Sequence, residues 1–416
     1  MGCSKVYTNS TFKYVPDYPP TEPDININES FKKIKHIGGG SYGEVYLIKS
    51  QETQREFALK QIKIKQSKIF INRILGEVNI LQTLNHPNII SFKGAFNSKD
   101  DKFLNIITEY AENGDFETKI KNHKKDKKYF EEKDLLNWFF QVCLALQYLH
   151  SKNIVHRDIK PSNIFLMENN IIKLGDFGLS KNISPLHPAK TLAGSPLYTA
   201  PELLKEIKEI EEIEKGKKEE KIKLIKYFYD VDIWSLGVTF CHLMSLEKPF
   251  DSQDDIINNI KSKKIFNKEK NCYIDKIVEK YSKDFLDLID EMMTYEPSKR
   301  LTIDEILEKP IVEERMKLYL KENKFNRNEA TKAINNYIDK FRIKKDEDED
   351  ENGDGDSNLF NIEIEDNNDD NLDVSHTSAM TDLQKEEKIK YELAKQLTLI
   401  DDFVKRAKTL NPIKKI

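Results

Sequence analysis

Four cysteines in 416 residues, Cys3, Cys143, Cys241 and Cys272, are too few and too irregularly spaced for a disulfide framework or a zinc site. A reducing compartment, the cytoplasm, is therefore expected. No apolar run reaches the roughly 18 residues of a membrane span, and the first residues have no hydrophobic signal core. A basic excess is missing too: 67 Lys and Arg stand against 71 Asp and Glu, so nucleic acid is not an expected partner. What remains is an ordinary soluble surface, 33% charged, over 38% hydrophobic residues. A chain of this length can hold one domain of roughly 280 residues that buries about three quarters of its unfolded surface, plus appendages.

Residues 1–30 show no periodicity and are expected to be a disordered N-terminal segment. From Phe31 to Glu109 the pattern is short and alternating, as in strands, with one helical interruption from about Ser67 to Leu84. From Leu135 the spacing turns helical, with Leu135, Phe139, Val142, Leu146 and Leu149 recurring at steps of four and three. A second helix, about Asp232 to Met244, is apolar on nearly every side and is expected to run through the middle of a helical lobe. The domain thus spans 31–312, a strand-rich lobe followed by a larger helical one. Inside it, residues 203–229 are almost wholly Lys, Glu, Ile and Leu: a solvated helical insertion with opposite charges at i,i+4, or alternatively a docking surface. A helical extension is expected over 313–345 and an acidic, disordered linker over 346–380, where Asp346 to Asp373 holds 14 acidic residues and no Lys or Arg. Residues 381–416 form a terminal amphipathic helix with the stripe Ile389, Leu393, Leu397, Ile400, Val404 and Ala407, which docks on its own domain or on a protein partner.

The chemistry concentrates in HRDIKPSNIFL and GDFGLS. Asp158 is set to receive a hydroxyl proton, Lys160 sits two residues on, and Asn163 and Asp176 are spaced to hold Mg²⁺, which together describe phosphoryl transfer. GGGSYGEV supplies a phosphate-covering loop, Ile37, Gly38, Gly39, Gly40, Gly43 and Val45; side chains on its glycines would keep the backbone from closing over phosphates. Alone that loop is weak, since glycine-rich hairpins are common. Lys60 follows in a strand whose period of two puts Ala58, Lys60 and Ile62 on one face, so Ala58 roofs a flat base while Lys60 points toward phosphates. An ammonium among phosphate oxygens must be held, and Glu77 on the intervening helix is the carboxylate to hold it. In TEYAENGD, backbone groups of Glu109 and Ala111 would bind an adenine edge and Asp115 would accept from a ribose hydroxyl. ATP and Mg²⁺ are the expected cofactors, and protein hydroxyls the expected acceptors.

From Phe31 to about Val312 the chain resembles the eukaryotic protein kinase family, an α+β fold of two lobes. Lys160 after the catalytic aspartate and GSPLYTAPE downstream are similar to the serine/threonine branch. Within it, EVNILQTLNHPNII, NIFL, GDFG and KTLAGS resemble the NimA-related kinases. The usual GTPxYMxPE of that group reads GSPLYTAPE here, and the 203–229 insertion is foreign to it. The resemblance implies that Phe165 floors the adenine, Glu202 pairs with Arg300, Asp232 anchors the catalytic loop, and Thr191 is phosphorylated for activation, with Arg157 its natural partner. Ser162 and His242 stand where arginine-directed kinases place acids, so that specificity is not expected.

Two weaker signals fail on one position each. MGCSKV offers Gly2 for myristoylation and Cys3 for palmitoylation, but Val6 stands where Ser or Thr is wanted, so an unmodified terminus is preferred over membrane attachment. Asp348, Asp350, Asn352 and Gly353 mimic half an EF-hand loop whose twelfth position is Leu359, so calcium is not expected. A scaffold that uses a kinase fold only to display its insertion and tail is the rival reading, and the intact catalytic set favours an enzyme.

Overall fold

The computed structural model describes residues 31–40, 43–64, 76–98, 102–178, 181–182, 196–214, 229–259, 277–332, 343–345, 362–364 and 382–410. The expectations for residues 1–30, Thr191 and the calcium-like run lie outside these. The chain divides into two units, Met1–Tyr110 with Asn326–Thr398, and Ala111–Phe325 with Leu399–Ile416.

The first unit holds an antiparallel sheet in the order β1-β2-β3-β5-β4, made of β1 (Phe31–Gly40), β2 (Gly43–Ser50), β3 (Glu56–Lys63), β4 (Phe92–Asn97) and β5 (Phe103–Glu109). Its order follows from alternation: Phe57 and Leu59 point to one face and join Phe31, Ile48 and Ile107 in a buried cluster. Ala58 and Lys60 are left on the other face, opposite Thr108 and Ile106 of β5. Two register shifts in β1, between Lys33 and Lys35 and between His36 and Gly38, sharpen the twist of the glycine-rich hairpin. Of the helix expected over about 67–84, residues 76–82 are described and helical. Also in this unit, Ile343–Lys345 pairs with Ile362–Ile364. The end of the expected helical extension is thus a strand, in which Lys344 faces Glu363 across the ladder.

The second unit is mainly helical. Helix Glu132–Ser151 is buried from Leu135 to Leu146, and helix Asp230–Ser245 from Val231 to Ser245, all the way round. They meet through Phe139, which packs edge-on to Phe240 at 5.0 Å and to Phe285 at 5.8 Å. Gly237 lets helix Lys283–Met292 and its following turn approach, since a Cβ there would lie 2.6 Å from Met293 Cγ. The first part of the expected insertion continues helix Pro201–Glu214. Helix Asp382–Leu410 is the last described element. Its buried apolar set is Tyr391, Ala394, Leu397, Ile400 and Val404, and Leu393 of the expected stripe is only half-buried. Lys395, Gln396 and Thr398 are buried as well, so this stretch is enclosed on more sides than one stripe requires.

Candidate active site

In the first unit, Lys60 Nζ donates to Glu77 Oε1 at 2.6 Å, with Glu77 almost fully buried. β3 fixes one partner and the helix at 76–82 the other, so the ammonium is placed by tertiary structure rather than by its own flexible stem. Val45 lies directly opposite Lys60 on β2, Ala58 is half-buried, and Ile37 is exposed on β1. The glycines of the hairpin divide by cause. A Cβ on Gly43 would sit 2.3 Å from the Gln61 carbonyl oxygen, so β3 forbids it, whereas a Cβ on Gly38 meets no atom within 4 Å. Gly39 makes room for Glu44, whose Oε2 would be 2.7 Å from such a Cβ and lies 2.5 Å from His36 Nε2. Gly40 pairs with Gly43 where the hairpin turns.

Glu109 ends β5, its carboxylate accepting from the Ser91 N–H at 2.6 Å. In the second unit Ala111 is buried and Asn113–Asp115 is stitched to Phe165–Met167: Asn113 N–H donates to Leu166 O at 3.2 Å and Leu166 N–H to Gly114 O at 2.8 Å. A bridge then sets Asp115 beside Phe165. Asp115 is also a helix N-cap, a role the sequence reading missed: its oxygens accept from the Thr118 N–H at 2.8 Å and the Thr118 hydroxyl at 3.2 Å.

The loop at 156–163 is held in the second unit by one buried acid. Asp232 Oδ2 accepts from the His156 N–H at 2.9 Å and lies 3.0 Å from His150 Nε2, while its Oδ1 accepts from the Arg157 N–H at 2.8 Å. Burial alone would raise this carboxyl, but the hydrogen bond and charge of His150, followed by His156 and the Arg157 amide, bring it below the usual carboxylate range. On that frame Lys160 Nζ donates to Asp158 Oδ2 at 2.8 Å, and Asn163 Nδ2 donates to Asp158 O at 2.8 Å and Oδ2 at 3.0 Å. The three residues form one cluster around the Asp158 carboxylate. Gly175 N–H donates to Asn163 O at 2.9 Å, which brings the strand preceding Asp176 alongside. His156 is buried and takes the Asp158 N–H on Nδ1 at 3.3 Å, so its proton sits on Nε2, 3.1 Å from Gly175 O. Desolvation moves this imidazole's pKa below its ordinary range, against the raising charges of Asp232, Asp158 and Asp176. Its ring lies 5.0 Å from the buried ring of Phe177.

Arg157 and Asp176 both have left-handed backbone, φ 67° and 58°. Non-glycine residues there carry about 1 to 3 kcal/mol of strain and cluster at functional sites. The donor set suits a hard cation: Asp176 offers a carboxylate, and Asn163, its amide nitrogen engaged by Asp158, turns its oxygen elsewhere. No group of three or more His, Cys, Asp or Glu capable of holding a metal occurs among the described residues. Two protein ligands completed by phosphate oxygens and water are the usual arrangement for Mg²⁺.

Helix Pro201–Glu214 is braced from its first turn. Arg300 Nη1 donates to Glu202 Oε1 at 2.8 Å and Nη2 to Oε2 at 3.2 Å, a buried bidentate pair, with Asp230 O taking Nη1 at 2.6 Å. Residues 31–312 match the family of the protein kinase domain. The chain belongs to the protein kinase family. Its kinase domain is similar to NimA-related relatives. It is 34% identical over 306 residues to the probable serine/threonine-protein kinase nek3 of Dictyostelium discoideum, covering 72% of this chain and 25% of that protein. It is 30% identical over 302 residues to serine/threonine-protein kinase Nek4 of Mus musculus, covering 72% and 34%, and 31% identical over 294 residues to Nek1 of Mus musculus, covering 70% and 22%. The chain thus spans about a third or less of the length of these relatives. Within the kinase domain, sequence reasoning missed His150, Asp232's second partner, because its only signal is a histidine closing an apolar helix 82 residues upstream. Among the described residues no helix is long and apolar enough to cross a membrane.

Proposed function

We propose that the protein transfers the γ-phosphoryl group of ATP to serine or threonine hydroxyls of protein substrates. The observation that carries this reading is the cluster in which Lys160 and Asn163 both bond the Asp158 carboxylate. Asp158 orients the acceptor hydroxyl and takes its proton, and Lys160 stabilises the transferring group. Lys60, steadied by Glu77, contacts the nucleotide phosphates; Ile37, Gly38, Gly39, Gly40, Gly43 and Val45 cover them. Ala58, Glu109, Ala111 and Phe165 receive the adenine, and Asp115 the ribose. Asn163 and Asp176 would hold Mg²⁺, which when bound offsets the charge on the phosphate oxygens. Phosphorylation of Thr191 raises the activity by giving Arg157 a partner of about −1.5 to −2 charge.

Transfer of labelled phosphate from ATP to a generic protein substrate tests the reading. Asp158→Asn is expected to lower the rate by about 10² to 10⁴, the usual contribution of a positioned base. Equal rates for wild type and Asp158→Asn, or none in either with metal supplied, would refute it.

A further inference from the structure

In the second unit one helix carries both the loop around Asp158 and the wall of a neighbouring cavity. On helix Asp230–Ser245 the polar residues Asp232, Ser235, Thr239 and His242 recur at steps of three, four and three, so they share one face. Asp232 takes the His156 and Arg157 amides, and Thr239 Oγ1 donates to Ile159 O at 3.4 Å. Ser235 Oγ donates to Tyr198 O at 2.8 Å, and the Tyr198 hydroxyl donates to His242 Nδ1 at 2.8 Å. The stripe therefore holds the turn at 196–198 and the loop on one support, about 15 Å from Asp232 to His242. At its end lies a cavity of about 500 Å³ with Ile120, Leu197, His242, Leu246 and Phe250 in its lining. Helix Phe116–Lys125, which supplies Ile120, packs on the turn Pro161–Asn163 and so is fixed to the same loop. A polypeptide that brings a hydroxyl to Asp158 thus passes the cavity within a few residues, each advancing about 3.3 Å.

The cavity is charged as well as apolar. Lys121, Lys124 and Lys248 line it together with Glu117, Glu247 and Asp251. Carboxylates are therefore present for a basic side chain to meet, even though burial keeps His242 uncharged at neutral pH. The fold answers one of them in advance. The chain turns at Leu246, left-handed at φ 61°, and Ser245 Oγ donates to Glu247 O at 2.7 Å while accepting the Glu247 N–H at 3.2 Å, which fixes the Glu247 backbone at the cavity. Its carboxylate is claimed from the other wall: Lys124 Nζ, in the last turn of helix Phe116–Lys125, donates to Oε2 at 2.7 Å and lies 2.7 Å from Oε1. Both oxygens of Glu247 are thus engaged by a residue 123 positions away. Glu117 is faced by Lys121 at 3.7 Å, one helical turn on. The remaining two charges, Lys248 and Asp251, are exposed and of opposite sign.

We propose that Lys124 is a specificity-determining residue: it occupies Glu247 from within the chain, in the place of a basic substrate residue, and so reserves the cavity for an uncharged side chain close to the phosphorylated hydroxyl. A substrate lysine or arginine must displace Lys124 from Glu247 and then lie beside its ammonium, so it loses twice. An uncharged side chain leaves the pair intact and rests on Ile120, Leu197, Leu246 and Phe250. Both partners of the pair are partly exposed, so the discrimination is graded rather than absolute. The inference rests on the reading of the chain as a protein kinase.

The test uses the full chain and serine peptides in pairs that differ in one residue, leucine or arginine, moved through each position near the serine. In wild type arginine is expected to be disfavoured at the position that reaches the cavity. Lys124→Ala should raise the arginine-to-leucine ratio of kcat/KM there by about threefold or more, through the peptide KM, and Lys124→Glu should raise it further. Glu247→Gln in the Lys124→Ala background should remove the gain. A ratio unchanged in both Lys124 variants, a gain that survives Glu247→Gln, or an equal gain at every position overturns the proposal, as does a wild-type preference for arginine at the responding position. Binding of the same labelled peptides to Asp158→Asn protein with and without Lys124→Ala, read by fluorescence anisotropy, measures the ratio without transfer. If no form transfers phosphate, the kinase reading fails, while the anisotropy ratio still decides whether Lys124 excludes the cation.

Discussion

A buried histidine shows how a single residue here ties stability to pH. His242 lies near the end of the central helix with Tyr198 Oη 2.8 Å from its Nδ1, an arrangement in which the hydroxyl donates to a neutral ring. Burial, helped by the Lys248 ammonium, pushes its pKa down to about 4 from an ordinary value near 6.5. Between these values the unfolded chain binds a proton that the folded chain refuses, so stability rises with pH across the window. It is fully present above about 6.5 and is lost as the pH falls toward about 4, by at most about 3 kcal/mol. Urea unfolding of wild type and His242→Gln at pH 7, 6, 5 and 4.5 measures this, with a shallower acid-side slope expected for the variant; parallel slopes would remove His242 as the cause. The sequence offered His242 as the residue standing where arginine-directed kinases carry an acid. It gave no sign of the Tyr198 contact, which joins residues 44 apart in the chain.

Among the elements, the glycine-rich hairpin separates folding from ligand chemistry. Gly43 has φ +157° and approaches the Gln61 carbonyl so closely that Gly43→Ala must push β2 from β3. Gly38 has open space over its Cα. Gly43→Ala should therefore destabilise the protein by about 2 kcal/mol or more, whereas Gly38→Ala should leave Tm nearly unchanged while raising the KM for ATP. Thermal unfolding beside ATP titration checks both, and equal Tm losses would mean that the two glycines share one cause. The hairpin itself was legible from its closely spaced glycines, and the face of Lys60 because a strand's period of two fixes it. Which glycine answers to the protein and which to a ligand was not legible, since that depends on Gln61 and Glu44 and on the register of strands paired only after folding. The same holds for Ile343–Lys345, where a helical reading lost to a strand whose partner lies 17 or more residues further on.

For the whole molecule, the C-terminal helix decides whether the region beyond the kinase domain belongs to the fold or is reserved for a partner. Leu397 and Ile400 were legible as apolar by spacing, but whether this chain or another covers them was not, because a stripe carries no address. Tyr391, Ala394, Leu397, Ile400 and Val404 are buried within this chain, where each of the larger side chains contributes about 1.5 to 3 kcal/mol of gross burial, much of it offset by the cost of ordering the helix. Deleting 381–416 is expected to cost about 2 kcal/mol net and lower Tm by about 4 to 8 °C. A helix held for another protein would leave the Tm of the deleted monomer unchanged. Gln396 gives the opposite sign: its Nε2 and Oε1 are buried without hydrogen-bond partners among the described residues, a penalty of about 1 to 3 kcal/mol. Gln396→Leu removes two unsatisfied polar atoms at similar volume and should raise Tm, while Ile400→Asp, which puts a charge at a fully buried position, should lower it at least as far as the deletion does. Opposite shifts from neighbouring positions on one helix can arise only if that helix is packed in the free monomer.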